Sequence, residues 1–295
     1  MLTLKAALEE AVASVGRTDA QVIFAHLLGV NRAYLAANPM RVLTESEDAR
    51  VDMLVARRQM GQPVAYLVGR REFYSRDFAV GPDVLIPRPE TETLVEAALA
   101  RLVAPDAALQ RLVAPDAANA AMVRGPICVL DLGTGSGAIA VTLASEDPDI
   151  AMTATDTSDA ALAIARTNAS THGCGERVEF LRGSWYEPVA GRRFDLIVSN
   201  PPYVADGDPH LREGDLRFEP PAALTDGSRD GLDSIRAIVA GAPRHLNPGS
   251  WLLLEHGHDQ RAAVAALLAK AGFDDRVSIE DLAGIPRVAG GKIGR

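Results

Sequence analysis

Apolar and polar positions follow two different patterns along this chain. From residue 127 onward, short apolar runs typical of buried strands alternate with longer segments of helical periodicity. The pattern predicts strands at 127–132, 151–155, 177–181, 194–199, 250–255 and 276–279, with helices at 138–145, 158–172, 232–245 and 259–270. This β–α alternation with short loops predicts a parallel, doubly wound α/β sheet. Ligands of such sheets bind at the carboxyl ends of the strands, so residues that follow strand ends are the first candidates for a site.

The first seventy residues are helical in pattern instead. Thr18 is placed to cap a helix over residues 19–28. Thr44 and Glu47 have the spacing of a capping box before a helix over residues 49–60. We therefore expect a small bundle of four or five short helices.

Residues 72–86 change character again. β-prone residues surround Gly81-Pro82-Asp83, which predicts a β-hairpin with its turn at that tripeptide. Pro87 and Pro89 then favour extended backbone before a helix with acidic residues in its first turn. The chain thus divides into a helical domain (1–71), a hairpin linker (72–86) and an α/β domain (87–295).

The octapeptide Arg-Leu-Val-Ala-Pro-Asp-Ala-Ala occurs twice, at 101–108 and at 111–118. Two copies are too few for a solenoid, which needs at least three stacked units. We interpret the repeat as a short tandem duplication in a surface connection and attach no function to it.

Composition narrows the class of protein. The 295 residues are 47% hydrophobic and 23% charged, and they include only two cysteines. No apolar run approaches the roughly 20 residues of a membrane span, and the amino terminus lacks a signal-peptide pattern, so we expect a cytoplasmic protein. The net charge of −9 argues against binding to nucleic acid and suits a basic protein partner or a small molecule.

A glycine-rich loop, Gly133-Thr134-Gly135-Ser136-Gly137, follows the first predicted strand of the sheet. Its glycines permit tight turns and close approach of a ligand to the backbone. Gly133, Gly135 and Ala138 also fit the dinucleotide pattern, which keeps an NAD-dependent oxidoreductase open. Asp131 favours another ligand, because a carboxylate would repel a pyrophosphate but suits the ammonium and sulfonium groups of S-adenosylmethionine.

Two residues after later strands extend this candidate cofactor site. Asp156 ends the second strand, where a carboxylate can accept both ribose hydroxyls of an adenosine. It can also, or instead, cap the helix that begins near Ser158. Trp185 follows the third strand and offers an aromatic plane for an adenine, although a single Trp is also a common core residue.

The segment Asn200-Pro201-Pro202-Tyr203 directly follows the fourth strand and carries the predicted chemistry. Two prolines make a stiff extended segment that has carbonyl acceptors but lacks two N–H donors. If Asn200 Oδ1 and the Pro201 carbonyl accept the two N–H groups of an amide or amine, its nitrogen is fixed in plane and the developing positive charge is stabilised. Tyr203 would stack on the planar group. We therefore predict a nitrogen methyltransferase in which orientation supplies much of the rate.

These motifs resemble the HemK/PrmC family, which methylates N5 of the glutamine in the Gly-Gly-Gln loop of class I peptide chain release factors. The resemblance covers nearly the whole chain, and its most specific segments are Pro87-Arg88-Pro89-Glu90-Thr91-Glu92 and Arg217-Phe218-Glu219-Pro220. It implies a Rossmann-like class I methyltransferase domain with a seven-stranded, mostly parallel sheet, preceded by a helical domain that binds the release factor. Gly290 and Gly291 stand where an apolar strand is expected, which puts the last strand in doubt.

The resemblance also implies roles for individual residues. S-adenosylmethionine, with S-adenosylhomocysteine as product, would be bound by Gly133, Thr134, Gly135, Ser136, Gly137, Asp156, Trp185 and Asn200. The glutamine amide would be bound by Asn200, Pro201, Pro202 and Tyr203, of which Asn200, Pro201 and Tyr203 form the catalytic set.

Several alternatives stay open at this point. The same tetrapeptide suits an adenine-N6 methyltransferase acting on DNA or RNA. A catalytically silent adenosine-binding module, which would bind a cofactor without turnover, also stays open. Arg88 and Glu90 either close the cofactor pocket or form an ion pair at the start of the helix. His256 and His258 are weak evidence for a metal, and we expect none. We expect a monomer whose partners are release factors, with no membrane association.

Overall fold

The computed structural model describes residues 2–102 and 126–294. The first part of the chain forms five helices around a small apolar core that includes Leu4, Phe24 and Leu35. They are α1 (Leu4–Val15), α2 (Arg17–Leu28), α3 (Arg32–Ala37), α4 (Glu45–Gln59) and α5 (Val64–Val68). The helical bundle predicted from the sequence is therefore confirmed in the described residues.

The two predicted helix starts had different outcomes. Thr44 forms the capping box: its hydroxyl accepts from Glu47 N at 3.2 Å, and Glu47 Oε2 accepts from Thr44 N at 2.9 Å. The prediction that Thr18 caps α2 is wrong, because the helix already begins at Arg17 with Gly16 as its N-cap. Gly16 alone joins α1 to α2, and its φ of 85° is a conformation that favours glycine.

The hairpin lies earlier than the sequence predicts. Its strands are β1 (Arg70–Phe73) and β2 (Arg76–Ala79), and its turn is Tyr74-Ser75 rather than Gly81-Pro82-Asp83. Both turn residues have positive φ, 51° and 58°, as a type I′ hairpin turn requires. Glutamate carboxylates stabilise this turn, since Tyr74 N donates to Glu92 and Ser75 N donates to Glu72.

Seven strands form the main sheet, in the order β5-β4-β3-β6-β7-β9-β8. The first five strands are parallel, and β9 runs antiparallel between β7 and β8. The strands are β3 (Ile127–Leu132), β4 (Ile150–Asp156), β5 (Val178–Arg182), β6 (Phe194–Ser199), β7 (Leu246–Glu255), β8 (Phe273–Glu280) and β9 (Pro286–Ile293). The predicted seven-stranded, mostly parallel sheet is confirmed.

Helices cover both faces of the sheet, because successive residues of each buried strand point to opposite sides. In β6, Leu196 and Val198 contribute to one apolar cluster, whereas Ile197 contributes to the other. The helices are α6 (Glu92–Leu102), α7 (Ala138–Glu146), α8 (Asp159–Thr171), the short α9 (Pro221–Leu224), α10 (Asp233–His245) and α11 (Arg261–Lys270). No helix in the described ranges has both the length and the apolar character needed to cross a bilayer.

The last strand, which the sequence left in doubt, is fully formed. A Cβ on Gly290 would lie 2.3 Å from the Leu252 carbonyl oxygen, and one on Gly291 would lie 2.7 Å from Phe273 Cβ. The two glycines therefore let β9 fit between β7 and β8. The duplicated octapeptide lies outside the described residues except for Arg101 and Leu102, which end α6.

The order of the strands determines where the functional site lies. The order runs outward in opposite directions from the neighbouring strands β3 and β6, which is a topological switch point. The glycine-rich loop follows β3, and the Asn200-Pro201-Pro202-Tyr203 segment follows β6. The two motifs singled out in the sequence are therefore adjacent at one edge of the sheet.

Candidate active site

A cavity of about 580 Å³ opens at the switch point, within the size range of small-ligand sites. Its walls combine the glycine-rich loop, the ends of β4 and β6, and the segments around Arg88 and Ala223. Among the predicted site residues, those that line it are Gly133, Thr134, Gly135, Ser136, Asp156, Trp185, Asn200 and Pro202. Gly137, Pro201 and Tyr203 are not among the lining residues.

The glycine-rich loop forms the floor of the cavity. Gly133 and Gly135 have φ of 73° and 56°, in the left-handed region. A Cβ on Gly133 would lie 3.4 Å from the Trp185 ring, so the indole packs directly over this residue. Gly137 packs closely against α8, because a Cβ there would come within 3.1 Å of Ala165, and its contact with a cofactor stays a prediction.

Asp131 lies beneath this loop and does not line the cavity. Its side chain is 0% exposed, and Oδ2 accepts a 2.7 Å hydrogen bond from the Thr134 hydroxyl. Its Oδ1 has no hydrogen-bond partner within residues 2–102 and 126–294. Burial raises the pKa of the Asp131 carboxyl to about 7. The residue supports the loop from below, in contrast to the direct contact with a cationic ligand that the sequence suggested.

Asp156 ties the loop to the start of α8. Its Oδ2 accepts from Gly135 N at 2.9 Å, and its Oδ1 accepts from Ser158 N at 2.9 Å. The N-cap of α8 is Ser158, whose own hydroxyl accepts from Ala161 N. Each oxygen of Asp156 retains a second lone pair, so the carboxylate can still accept hydrogen bonds from a ligand in the cavity.

Asn200 lies where the cavity meets the end of β6. The preceding Ser199 donates to the Leu132 carbonyl at 2.7 Å and fixes the end of β6 against β3. Asn200 Nδ2 donates to the Thr91 hydroxyl at 3.1 Å. The amide nitrogen is therefore engaged with the protein, which leaves Oδ1 as the atom available to accept from a ligand.

Tyr203 is anchored away from the cavity lining by its hydroxyl. It donates to Glu255 Oε1 at 2.9 Å, and the Tyr203 carbonyl accepts from Gln260 Nε2 at 2.9 Å. Burial, together with the nearby Glu255 carboxylate, raises the pKa of the Tyr203 hydroxyl. Burial also raises the pKa of Glu255, and the hydrogen bonds from Thr91 and Tyr203 oppose that shift. The stacking face proposed for Tyr203 stays a prediction.

Arg88 lines the cavity and forms an ion pair, but with Glu219 rather than with Glu90. Glu219 is buried, and its second oxygen accepts from Ile86 N at 3.0 Å. The carboxylate thus joins the segment before α6 to the segment that follows the tetrapeptide. Arg88 therefore lines the pocket, as one interpretation expected, whereas the alternative of a helix-entry ion pair with Glu90 is wrong, because the partner is Glu219, 131 residues away along the chain.

The histidines near the end of β7 do not come together. His256 is buried with its Nδ1 2.7 Å from the Gly257 carbonyl, whereas His258 is exposed. Among the described residues there is no group of three or more His, Cys, Asp or Glu side chains suited to hold a metal ion.

Sequence reasoning missed three residues of the site: Thr91, Glu219 and Glu255. Glu255 carried a usable signal, because it is a charged residue that ends an apolar strand at the same sheet edge as Asn200. Thr91 and Glu219 lie in the two segments most specific to the resemblance, but no role was assigned to either residue, because their partners are distant in sequence.

Known proteins match this chain in both of its parts. The family model described as the PrmC N-terminal domain matches residues 3–69, and the methyltransferase small domain matches residues 121–213. A release factor glutamine methyltransferase of Xylella fastidiosa strain Temecula1 is 49% identical over 97% of each chain. One of Burkholderia pseudomallei is 49% identical over 93% of this chain and 91% of its own.

A solved methyltransferase structure from Pyrococcus furiosus has a TM-score of 0.51 at 18% identity, and the match covers 81% of this chain and 98% of that one. At that identity the likeness concerns the fold alone. The fold and the cavity at its switch point define a methyltransferase of the class I α/β type. On the identity and coverage of its relatives, the chain belongs to the release factor glutamine methyltransferase family. The resemblance inferred from the motifs is confirmed.

Proposed function

We propose that this protein transfers a methyl group from S-adenosylmethionine to the side-chain amide nitrogen, N5, of the glutamine in the Gly-Gly-Gln loop of class I release factors. One observation carries the proposal most directly. Asn200 reaches the same cavity as the glycine-rich loop, with its amide nitrogen held by Thr91 and its oxygen left for a substrate N–H. The names of relatives that match over nearly the full chain support the same substrate.

The residues of the cavity fit S-adenosylmethionine. The backbone of the Gly133–Gly137 loop lets a ligand approach closely, and Asp156 keeps free lone pairs for the two ribose hydroxyls. Trp185, packed on Gly133, offers an aromatic plane beside the adenine. When bound, the cofactor supplies an electrophilic methyl group on a sulfonium.

The chain's own contribution is to orient and polarise the glutamine amide. An amide nitrogen is a poor nucleophile because its lone pair is delocalised into the carbonyl. Asn200 Oδ1 and the Pro201 carbonyl accept its two N–H groups, which fixes the nitrogen in plane and stabilises the positive charge that develops on it. In this proposal Pro202, which lines the cavity, and Tyr203, whose contact with the substrate stays a prediction, border the amide on its flat side. The methylated nitrogen is strongly acidic, so its proton can leave late without a strong base.

Residues 1–71 are proposed as the part that binds the release factor, with the α/β domain from residue 87 onward as the catalytic part. The helical domain touches the segment that follows the tetrapeptide, through Arg58–Asp215 at 2.7 Å and Arg217 Nη2 to the Met60 carbonyl at 2.7 Å. A release factor bound to these helices would therefore lie next to the methylation site. We further propose that the protein acts as a monomer in the cytoplasm, and its net charge of −9 suits a partner with basic surfaces.

Mass spectrometry of a release factor incubated with the protein and S-adenosylmethionine tests this function. We expect one added methyl group on the peptide that contains Gly-Gly-Gln, located on the glutamine side chain. A release factor with that glutamine replaced by alanine is the control and should gain no methyl group. Methyl transfer to duplex DNA or RNA instead would favour an adenine methyltransferase. Cofactor binding without transfer to either substrate would favour a silent module.

A further inference from the structure

A buried carboxylate lies behind the proposed amide clamp. Glu255 ends β7 and is 1% exposed, and it is not among the residues that line the cavity. Its Oε2 accepts from the Thr91 hydroxyl at 2.7 Å, and its Oε1 accepts from the Tyr203 hydroxyl at 2.9 Å. Thr91 in turn accepts from Asn200 Nδ2 at 3.1 Å. One carboxylate therefore connects two residues of the Asn200–Tyr203 segment.

The direction of these hydrogen bonds fixes which end of the Asn200 amide faces the cavity. A threonine hydroxyl has one hydrogen, and Thr91 gives that hydrogen to Glu255, whose carboxylate only accepts. The Thr91 oxygen can then only accept from Asn200, so Asn200 must present its NH₂ to Thr91. Its carbonyl oxygen is thereby the atom directed to a ligand.

The opposite amide orientation would disable the clamp. A rotated Asn200 would point its NH₂ at the substrate, where it would meet the N–H groups of the glutamine amide, donor against donor. The two orientations of an isolated asparagine amide have nearly the same shape, so packing alone discriminates poorly between them. A donor or acceptor of fixed polarity behind the amide is needed, and the Thr91–Glu255 pair supplies one.

We propose that Glu255 and Thr91 are positioning residues, which fix the polarity of the Asn200 amide so that its oxygen accepts from the substrate amide, while Glu255 also holds Tyr203. The inference rests on the proposed function, because it assigns Asn200 the role of acceptor. Neither residue needs to touch the reacting atoms.

A matched pair of substitutions at Thr91 tests the inference. Thr91→Val keeps the shape but removes the hydroxyl, and Thr91→Ser keeps the hydroxyl. For release factor methylation we expect kcat of the valine variant to fall at least about tenfold, with the Kd for S-adenosylmethionine within about threefold of wild type. Thr91→Ser should keep most of the kcat of wild type. A hydroxyl needed only for folding would lower thermal stability without this selective loss of kcat.

Glu255→Gln provides a second variant that is nearly isosteric. The carboxamide has one oxygen and one NH₂, so it can accept from only one of Thr91 and Tyr203 and must donate to the other. We expect a kcat loss smaller than that of Thr91→Val, because the carboxamide oxygen can still accept from Thr91 in one of its two orientations. The combined variant should lose little more than Thr91→Val alone, because the valine already removes the hydroxyl that holds the Asn200 amide.

A measurement without turnover separates this inference from the proposed function. In protein labelled with ¹⁵N-asparagine, the side-chain signal of Asn200 is assigned by its loss in Asn200→Ala. Its NH₂ protons should exchange faster in Thr91→Val than in wild type or Thr91→Ser. If Thr91→Val has the kcat of wild type, or if the Asn200 NH₂ protons exchange no faster in it, Thr91 does not position Asn200. This conclusion would stand even if wild type methylates the release factor. Failure of wild type to methylate it would overturn the proposed function instead.

Discussion

Asn200 is the residue on which the proposed chemistry depends most directly. Asn200→Ala removes the side-chain acceptor of the clamp and leaves the glycine-rich loop and Asp156 in place. We expect transfer to fall below detection, a loss greater than about a hundredfold. Cofactor affinity should stay within roughly tenfold, or about 1.4 kcal/mol, because most of the predicted cofactor contacts come from other residues.

A matched control exists at the opposite end of the sheet. Asn247 lies near the start of β7 and donates to Asp195 at 2.8 Å, far along the sheet from the cavity. Asn247→Ala makes the same chemical change outside the site, so its methylation rate should stay near wild type. Full activity in Asn200→Ala, measured in the same release factor assay, would refute the clamp.

Asp131 predicts a pH dependence of folding stability. Its folded-state pKa, raised by burial to about 7, lies above the ordinary value of 3.8. The group therefore stabilises the fold fully only below its unfolded pKa, and this contribution is lost as the pH rises through about 7. Asp131→Asn keeps an acceptor for Thr134 but does not titrate.

Urea unfolding from about pH 5 to about pH 8 measures this effect. The free energy of unfolding of wild type, minus that of Asp131→Asn, should decrease across this range by more than about 1 kcal/mol. A difference that stays constant or increases would show that the carboxyl is already ionised throughout, with its pKa below this range.

Among single residues, the sequence identified as site candidates those that occur in compact motifs. The glycine-rich loop and Asn200 could be found because each follows an apolar strand directly. Thr91 and Glu255 could not be connected to the tetrapeptide, since the hydrogen bonds from Asn200 to Thr91 and from Thr91 and Tyr203 to Glu255 join segments more than 50 residues apart. Tyr203 was found, but its hydroxyl bond to Glu255 requires the position of β7 beside β6.

The same holds for secondary-structure elements: those determined by the local sequence could be predicted, and those determined by tertiary contacts could not. The bounds of β3 and β6 agree with the prediction, because continuous apolar runs identify buried parallel strands. The hairpin turn was misplaced, because Tyr74-Ser75 has no sequence preference for positive φ and is held by Glu72 and Glu92. The position of the turn therefore depends on a tertiary contact, the hydrogen bond from Tyr74 N to Glu92.

Strand β9 gives a prediction about stability. Gly290 lies against β7, and a Cβ there would be 2.3 Å from the Leu252 carbonyl oxygen. Because backbone cannot yield as a flexible side chain can, Gly290→Ala should lower the free energy of unfolding by about 1–3 kcal/mol. Gly294→Ala is the control, since its Cβ would meet its nearest neighbour, Asp274 Oδ2, at an ordinary 3.7 Å.

Chemical denaturation of the two variants checks this account of β9. Gly294→Ala should unfold within about 0.5 kcal/mol of wild type, as surface substitutions usually do. Equal stability of the two variants would mean that β9 adjusts to a side chain at Gly290, so that close strand packing does not explain the glycine.

In the whole molecule, both parts of the chain hold the segment after the tetrapeptide, here residues 215–219. Glu219 fixes it to Arg88 and Ile86 beside the cavity. Arg58 reaches it from α4, with Nη1 2.7 Å from Asp215 and Nε 2.6 Å from Asp19 in α2. The helical domain is thereby connected to the wall of the cavity, so the position of these helices bears on the methylation site.

Asp215→Ala tests whether this connection serves the substrate as well as the fold. The lost ion pair is partly exposed, so the free energy of unfolding should fall by no more than about 1 kcal/mol. Glu9→Ala is matched in charge and removes the exposed Lys5–Glu9 pair of α1, which involves no residue of the segment.

The expected effect of Asp215→Ala on KM and kcat follows from the part of the structure that Asp215 holds. Asp215 joins the segment to the helical domain through Arg58, whereas Asn200 and the glycine-rich loop are held by Thr91 and Asp156. Its loss should therefore raise KM for the release factor several-fold, by about threefold or more, with kcat and cofactor Kd near wild type. Glu9→Ala should change none of these. If Asp215→Ala instead lowers kcat at unchanged KM, the segment acts on the chemical step, and the helical domain would influence catalysis as well as binding.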